Sequence, residues 1–324
     1  MSTINVSNLA GPSSTGTAAI LSSVNGGPIS GSRNRIINGS METDQRYAGG
    51  NQTFTAGAAL AYSVDRWYGF CTGANVVGTR SLATGAVNRY RLTGAAGVTA
   101  IGFGQRIEAQ NSFDLAGTTV TLSAFLANSL LTTVTWTAYY ANTTDTFGTL
   151  AAPTRTQIAT GSWTVANTNV RYDAQISIPA AATTGLEIVF TVGAQTSGNW
   201  HIWNVQLEPG TVATPFERRS YGQELALCQR YYNVFSGFNI EGYANLGSTR
   251  AMTVPVFFPV QMRATPTRAV ITAGTFTNVR GSSTAYAGLG LNGLTTTYAS
   301  ASAEATGAGL CQYINATESM SAEL

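Results

Sequence analysis

His201 is the sole histidine of the 324-residue chain and lies inside a strand-like run between Trp200 and Trp203. An imidazole so flanked is read as packed or interfacial rather than as a general base. Asp65, Asp114, Asp145, Asp173 and Glu187 are the acids from which a hydrolytic carboxylate pair would be drawn. Fifteen acids scattered over the chain supply such a pair by chance, so the chain is read as non-enzymatic. Gly288 to Gly293 matches a G-x-G-x-x-G pattern, but it opens no helix and has no βαβ setting, so these are read as turn glycines. Cys71, Cys228 and Cys311 are odd in number and far apart, which fits buried free thiols better than disulfides or a zinc site.

These residues sit in a chain of unusual composition. Only 10% of it is charged, against roughly 25% in an average globular protein. All 17 basic residues are arginine, and 35 glycines with abundant Thr, Ser and Asn take over the solvating role. That mixture suits twisted β surfaces and tight turns. So little charge predicts surface buried against copies of the chain or other partners. A net charge of +2 without a basic run gives no surface for nucleic acid, and no apolar run is long enough for membrane insertion.

The elements that position these groups are strands. Val120, Leu122, Ala124 and Leu126 alternate with polar residues, as do Val134, Trp136, Ala138 and Tyr140. The same holds for Val170, Tyr172, Ala174, Ile176 and Ile178, and for Leu186, Ile188, Phe190 and Val192. Half-buried strands at this spacing without interleaved helices predict an antiparallel sandwich. Further alternation from Met252 to Phe258, and strands near Ala269, Phe276, Leu310 and Met320, predict a second, smaller β-sandwich. The domain plan is a docking arm over residues 1–34, a β domain over 35–210, a linker and junction helix over 211–236, and a C-terminal β domain over 237–324. The arm is too poor in apolar residues to fold alone. Arg35 to Glu42 should open the large domain with a short strand and an Asn-Gly turn.

The junction carries the sharpest signals. From Asn199 to Leu207 one face would hold Trp200, Ile202 and Asn204, the other His201, Trp203, Val205 and Leu207. Pro209-Gly210 ends that strand, and Thr211 to Arg219 should be an extended connector. Ser220 with Gln223 has capping-box spacing for a helix in which Leu225, Cys228 and Tyr232 share an apolar face. That face is the candidate oligomer interface.

Several of these segments resemble a known family. Asn38-Gly39-Ser40-Met41-Glu42, Asp65-Arg66-Trp67, Leu115 to Ser123 and Trp203 to Gly210 resemble the jelly-roll, carbohydrate-binding-module-like domain of tailed-bacteriophage fibres and related virion proteins. Ala213 to Glu217 with Glu224 to Tyr232 is similar to the junction that follows it, and Pro259 to Thr267 resembles the start of a C-terminal β domain. The resemblance implies an all-β protein with a jelly-roll β-sandwich, a short junction helix and a second smaller sandwich. It implies a virion protein on the tail or capsid exterior, commonly a homotrimer, attached to other virion proteins through residues 1–34 and presenting the jelly roll to host-surface polysaccharide. A structural decoration or connector protein of the virion is the alternative. No organic cofactor is implied; a structural calcium would draw on Glu42 and Glu208, which are otherwise salt-bridging or solvated acids. Sugar sites on such domains need a planar aromatic beside hydroxyl-bonding groups. By alternation Tyr139 would face outward together with Arg171, Asp173 and Gln175, provided their strands share a sheet; a polar, partner-facing sheet is the other reading.

Overall fold

The computed structural model describes residues 33–83, 87–244, 252–272, 275–280, 286–292, 294–305 and 309–324. The docking arm predicted for residues 1–34 thus lies outside the described residues, apart from Arg33 and Asn34. The protein is nearly all β. Twelve strands come first: β1 (Asn51–Phe54), β2 (Ala61–Tyr62), β3 (Tyr68–Thr72), β4 (Val76–Ala83), β5 (Val87–Thr93), β6 (Ala100–Ile107), β7 (Thr119–Asn128), β8 (Thr133–Ala141), β9 (Arg155–Thr164), β10 (Val170–Ser177), β11 (Leu186–Val192) and β12 (Asn199–Pro209). They form two six-stranded antiparallel sheets, ordered β1-β4-β5-β12-β7-β10 and β2-β3-β6-β11-β8-β9. The two sheets make a jelly-roll sandwich. Its core interdigitates Val120, Leu122, Ala124 and Leu126 of β7 with Val134, Trp136 and Ala138 of β8 and Leu186, Ile188 and Phe190 of β11. Each set is one face of an alternating strand, so period-two patterning decides which side chains leave water.

β12 departs from simple alternation. Its register slips between Trp203 and Gln206, and Asn204 adopts φ +46°. This bulge turns Val205 and Leu207 to the same core as Trp200 and Ile202, where unbroken alternation would have put them on the opposite face. The segment from Arg35 to Ile37 is not a strand; it lies against the bulge. Arg35 N donates to Leu207 O at 2.8 Å and Val205 N to Gly39 O at 3.0 Å. A Cβ on Gly39 would collide with the Val205 carbonyl, which explains the glycine of the Asn-Gly pair. Asn38, in the left-handed region at φ 55°, ties this turn to Thr43 and Asp65 through its side chain.

No regular element spans 211–220, consistent with an extended connector. α1 (Tyr221–Gln229) follows, and Ser220 Oγ accepts from Gln223 N at its start. The helix ends before Tyr232, which begins β13 (Tyr232–Ala244). Cys228 and Tyr232 are buried within the chain. Cys228 packs with Ile37, Tyr231, Leu227 and Leu324, and the Arg46 guanidinium lies 3.5 Å over the Tyr232 ring. Leu225 is half-buried. The apolar stripe assigned to an oligomer interface is therefore mostly used inside one chain. Glu224 also turns inward: burial suits it because Asn38 N and Arg219 both donate to it.

The C-terminal region holds β13, β14 (Met252–Phe257), β15 (Thr267–Thr272), β16 (Thr275–Arg280), β17 (Tyr286–Asn292), β18 (Tyr298–Ala305) and β19 (Gly309–Ser321). β13, β15 and β16 pair with β19, and β14-β18-β17 form a second sheet. Phe258, Met262, Ala299, Met320 and Ala322 form its small core. Gly288 and Gly290 stand in β17, not in a turn; Gly293 lies outside the described residues. Cys71 and Cys228 are free and buried, while the Cys311 side chain lies outside the described residues.

Candidate functional site

The outer face of the β2-β3-β6-β11-β8-β9 sheet is the most featured surface of the sandwich. Residues there alternate with the core residues of each strand, and register aligns them in rows. Phe70 pairs with Gly102, Gly102 with Thr191, Thr191 with Thr135, and Thr135 with Ser162. Neither Gly102 nor Gly104 has room for a side chain, because the rings of Phe70 and Tyr68 occupy that space. Aromatic cover of strand glycines is a known way of completing a sheet face. Phe70 remains half-exposed. Thr135 and Ser162 share a hydroxyl hydrogen bond of 3.2 Å, and Thr137 and Thr160 one of 3.1 Å. Beside this row is a depression of about 630 Å³ whose lining includes Ala100, Thr133, Thr135, Thr191 and Gly193. The surface thus offers one partly open aromatic ring, a lattice of hydroxyls that both donate and accept, and a shallow concavity.

Toward the other end of the same face lies Glu187, fully buried. Tyr68 Oη donates to Glu187 Oε1 at 2.6 Å and Arg106 Nε to the same oxygen at 2.8 Å. Arg155 pairs with Oε2. Burial together with the Glu187 charge holds the Tyr68 hydroxyl well above its usual range, so it stays protonated and donating.

The four residues assigned to sugar binding do not come together. Tyr139 is on β8, on this face, opposite Glu187; Arg155 stacks over its ring at 4.1 Å. Arg171, Asp173 and Gln175 are on β10, an edge strand of the other sheet. Arg171 donates to Ser123 Oγ at 2.9 Å and to Thr214 O, and Gln175 Nε2 donates to Thr211 O at 2.7 Å. Both hold the connector against the sandwich. Asp173 is exposed; its backbone carbonyl accepts from Trp163 Nε1 at 3.1 Å, and its carboxylate has no partner among the described residues. Alternation placed Tyr139 and the polar residues of β10 outward, although Val170, read as core, is exposed; it could not say that β8 and β10 belong to opposite sheets.

Glu42 and Glu208 do not fit a calcium cage. Arg218 Nη1 donates to Glu42 at 2.8 Å. Glu208 accepts from Gln206 Nε2 and Thr214 N, both at 2.8 Å, and from Thr214 Oγ1 at 2.5 Å. These three protein donors engage both of its oxygens and fix the connector. Nor do the other acids pair up. Gln45 N and Nε2 donate to Asp65, whose carboxyl burial pushes up to about 7. Asp114 pairs with Arg35, and Asp145 accepts from Ala109 N at 2.7 Å.

His201 is on the outer face of β12, opposite Arg91 of β5. Burial lowers its pKa to about 4, and repulsion from Arg89 and Arg91 adds to the shift. An unfolded-chain histidine titrates near ~6.5, so between that value and about 4 the unfolded state binds more protons than the native state, and stability is lost as pH falls through the window. His201→Gln is expected to remove this loss, about 1 to 2 kcal/mol after discounting for solvent screening. Denaturant titrations of both proteins above and below the window test it; parallel pH dependence of the two would refute it.

Phe70 went unrecognised in the sequence. The signal was present as Gly102-Phe103-Gly104: two glycines on one face of a strand call for cover from a neighbouring aromatic.

No protein-family model matches the chain, and no curated protein matches it. Among solved structures, the chain is similar to the CBM4 module, at 15% identity over 53% of this chain and 97% of that one, TM-score 0.35. It is also similar to the enzymatically active domain structure of bacteriophage CBA120 tailspike protein 4, at 19% identity over 55% of this chain and 21% of that one, TM-score 0.36. TmCBM61, solved with β-1,4-galactotriose, gives 9% identity over 55% and 99% of the chains, TM-score 0.33.

Proposed function

We propose that the protein is a glycan-binding virion component, a tail fibre or receptor-binding protein that attaches through residues 1–34 and recognises host-surface polysaccharide without catalysing its cleavage. The observation that carries the glycan reading is the row Phe70, Gly102, Thr191, Thr135 and Ser162 across one outer sheet face. A pyranose has an apolar face for an aromatic ring and equatorial hydroxyls that exchange hydrogen bonds with threonines. The virion assignment is supported by the sequence resemblance of the Asn38 to Glu42 turn, the end of β12 and the junction to tailed-phage fibre proteins.

The test is binding to a panel of bacterial surface polysaccharides. Phe70→Ala is expected to weaken the best ligand about tenfold, the equivalent of about 1.4 kcal/mol of aromatic contact. Thr135→Val, which keeps the shape and removes one hydroxyl, is expected to weaken it severalfold. Binding untouched by both substitutions would remove this face from consideration. Antibody labelling of intact particles addresses the virion role: label on outward projections fits recognition, whereas a chain reached only after disassembly is the connector alternative.

A further inference from the structure

Among the described residues, ten arginines are paired with acids. Arg89 and Arg91 are not. Both are on β5, alternating with Tyr90 and Leu92, which are 2% and 0% exposed and belong to the core. Their side chains therefore leave on the outer face of the β1-β4-β5-β12-β7-β10 sheet, opposite the Phe70 face proposed above for sugar. Arg91 stands between Thr79 of β4 and His201 of β12, and Arg89 opposite Ser81. Among the described residues neither guanidinium makes a hydrogen bond or an ion pair. Both are half-buried; each has a buried Nε without a partner, and the buried Ser81 hydroxyl also lacks one. Two cations placed two residues apart on one strand face repel each other, and burial together with that repulsion lowers the pKa of Arg89. Among the described residues no acid offsets this.

Most described arginines have an acid partner, and Arg171 and Arg263 donate to hydroxyl or backbone oxygens, whereas Arg89 and Arg91 stand side by side with the Ser81 hydroxyl and all three lack a partner among the described residues. Each guanidinium offers a planar fork of N–H donors that fits a carboxylate or sulfate in a bidentate geometry. We propose that Arg89, Arg91 and Ser81 form an anion-binding subsite for the acidic group of a charged polysaccharide. The surroundings favour a saccharide over an acidic protein segment. Thr79 and the Thr93–Asn199 hydrogen bond of 2.9 Å border the patch, giving hydroxyl and amide groups for sugar oxygens. Protein hot spots set arginine among Trp and Tyr anchors, and no exposed Trp or Tyr stands on β4, β5 or β12 beside this pair.

The site stands apart from the Phe70 face, so the two fail independently. The experiment measures binding of the full chain to polygalacturonate, with neutral dextran and poly-glutamate as controls, at low and moderate salt. Wild-type protein is expected to bind polygalacturonate, more weakly as salt rises. The double change Arg89→Ala with Arg91→Ala is expected to cost at least about 30-fold, as for the loss of two charge-assisted contacts. Arg89→Gln with Arg91→Gln keeps side-chain volume and is expected to lose binding equally, and Phe70→Ala is expected to leave it unchanged. Retained binding in either double variant, or no binding of polygalacturonate by wild type, overturns the proposal. Poly-glutamate bound as tightly as polygalacturonate overturns its assignment to a saccharide.

Discussion

Replacing Glu187 with alanine is expected to destabilise the sandwich by about 3 to 5 kcal/mol, the usual cost of removing one partner from a buried ion pair. Glu187 is on an outward position of β11, yet it is fully buried, because Arg106 and Arg155 close over it. Arg106 is fixed on all sides: its Nη1 donates to Leu324 O at 2.7 Å and its Nη2 to Gly148 O at 3.0 Å. It cannot swing out to water without breaking those bonds. Loss of the carboxylate would leave two guanidiniums facing each other and Tyr68 Oη without its acceptor. Glu187→Gln keeps an acceptor while removing the charge, so it should cost clearly less than the alanine change. Urea denaturation of the three proteins gives the comparison; an alanine variant within about 1 kcal/mol of wild type would mean that solvent reaches the cluster.

Much of this sandwich was legible in the sequence, because strands with one buried face record it at every second residue. β7, β8 and β11 were read in this way, and Ser220 with Gln223 marked the start of α1. What the sequence left open is pairing. Nothing in the Val170 to Ser177 run says that its neighbour is β7 rather than β8, so Tyr139 and Asp173 were assigned to one face and lie on two sheets. The bulge at Asn204 was equally invisible, since its cause is non-local: the turn at Asn38-Gly39 docks on the extra residue. Polar side chains misled for a related reason. Arg171, Gln175 and Glu208 have the types that bind ligands, but each is engaged within the chain, all three by Thr211 or Thr214 of the connector. The Phe70 row was missed because its signal lies in glycines on one strand and an aromatic on another.

The sandwich and the C-terminal sheets are joined by a cluster centred on Glu323, and breaking it is the second large effect expected. Arg66, held in the left-handed region at φ 73°, points a guanidinium that is almost wholly buried at the Glu323 carboxylate. Its Nη2 donates to Arg106 O at 2.6 Å, and its guanidinium lies 3.5 Å over the Tyr231 ring. Arg46 donates to the same carboxylate at 2.8 Å. From the C-terminal side, Arg263 donates to Ala322 O at 2.7 Å and to Glu323 O at 3.0 Å, while Ala322 N donates to Tyr231 O at 2.8 Å. One carboxylate therefore neutralises two arginines of the sandwich while its own backbone is fixed by the other region. Glu323→Ala is expected to cost about 3 to 5 kcal/mol, since among the described residues Arg66 pairs with no other acid and its buried guanidinium cannot gain water. The loss falls on the contact between the two regions rather than on either core, so a single cooperative unfolding transition should separate into two. Calorimetry of the full chain measures this directly. In a double-mutant cycle Arg66→Ala and Glu323→Ala should be coupled by about 0.5 to 3 kcal/mol, the range for residues in one network. A single transition shifted by only a degree or so in Glu323→Ala, together with additive effects in the cycle, would show that the two regions are held together by other contacts.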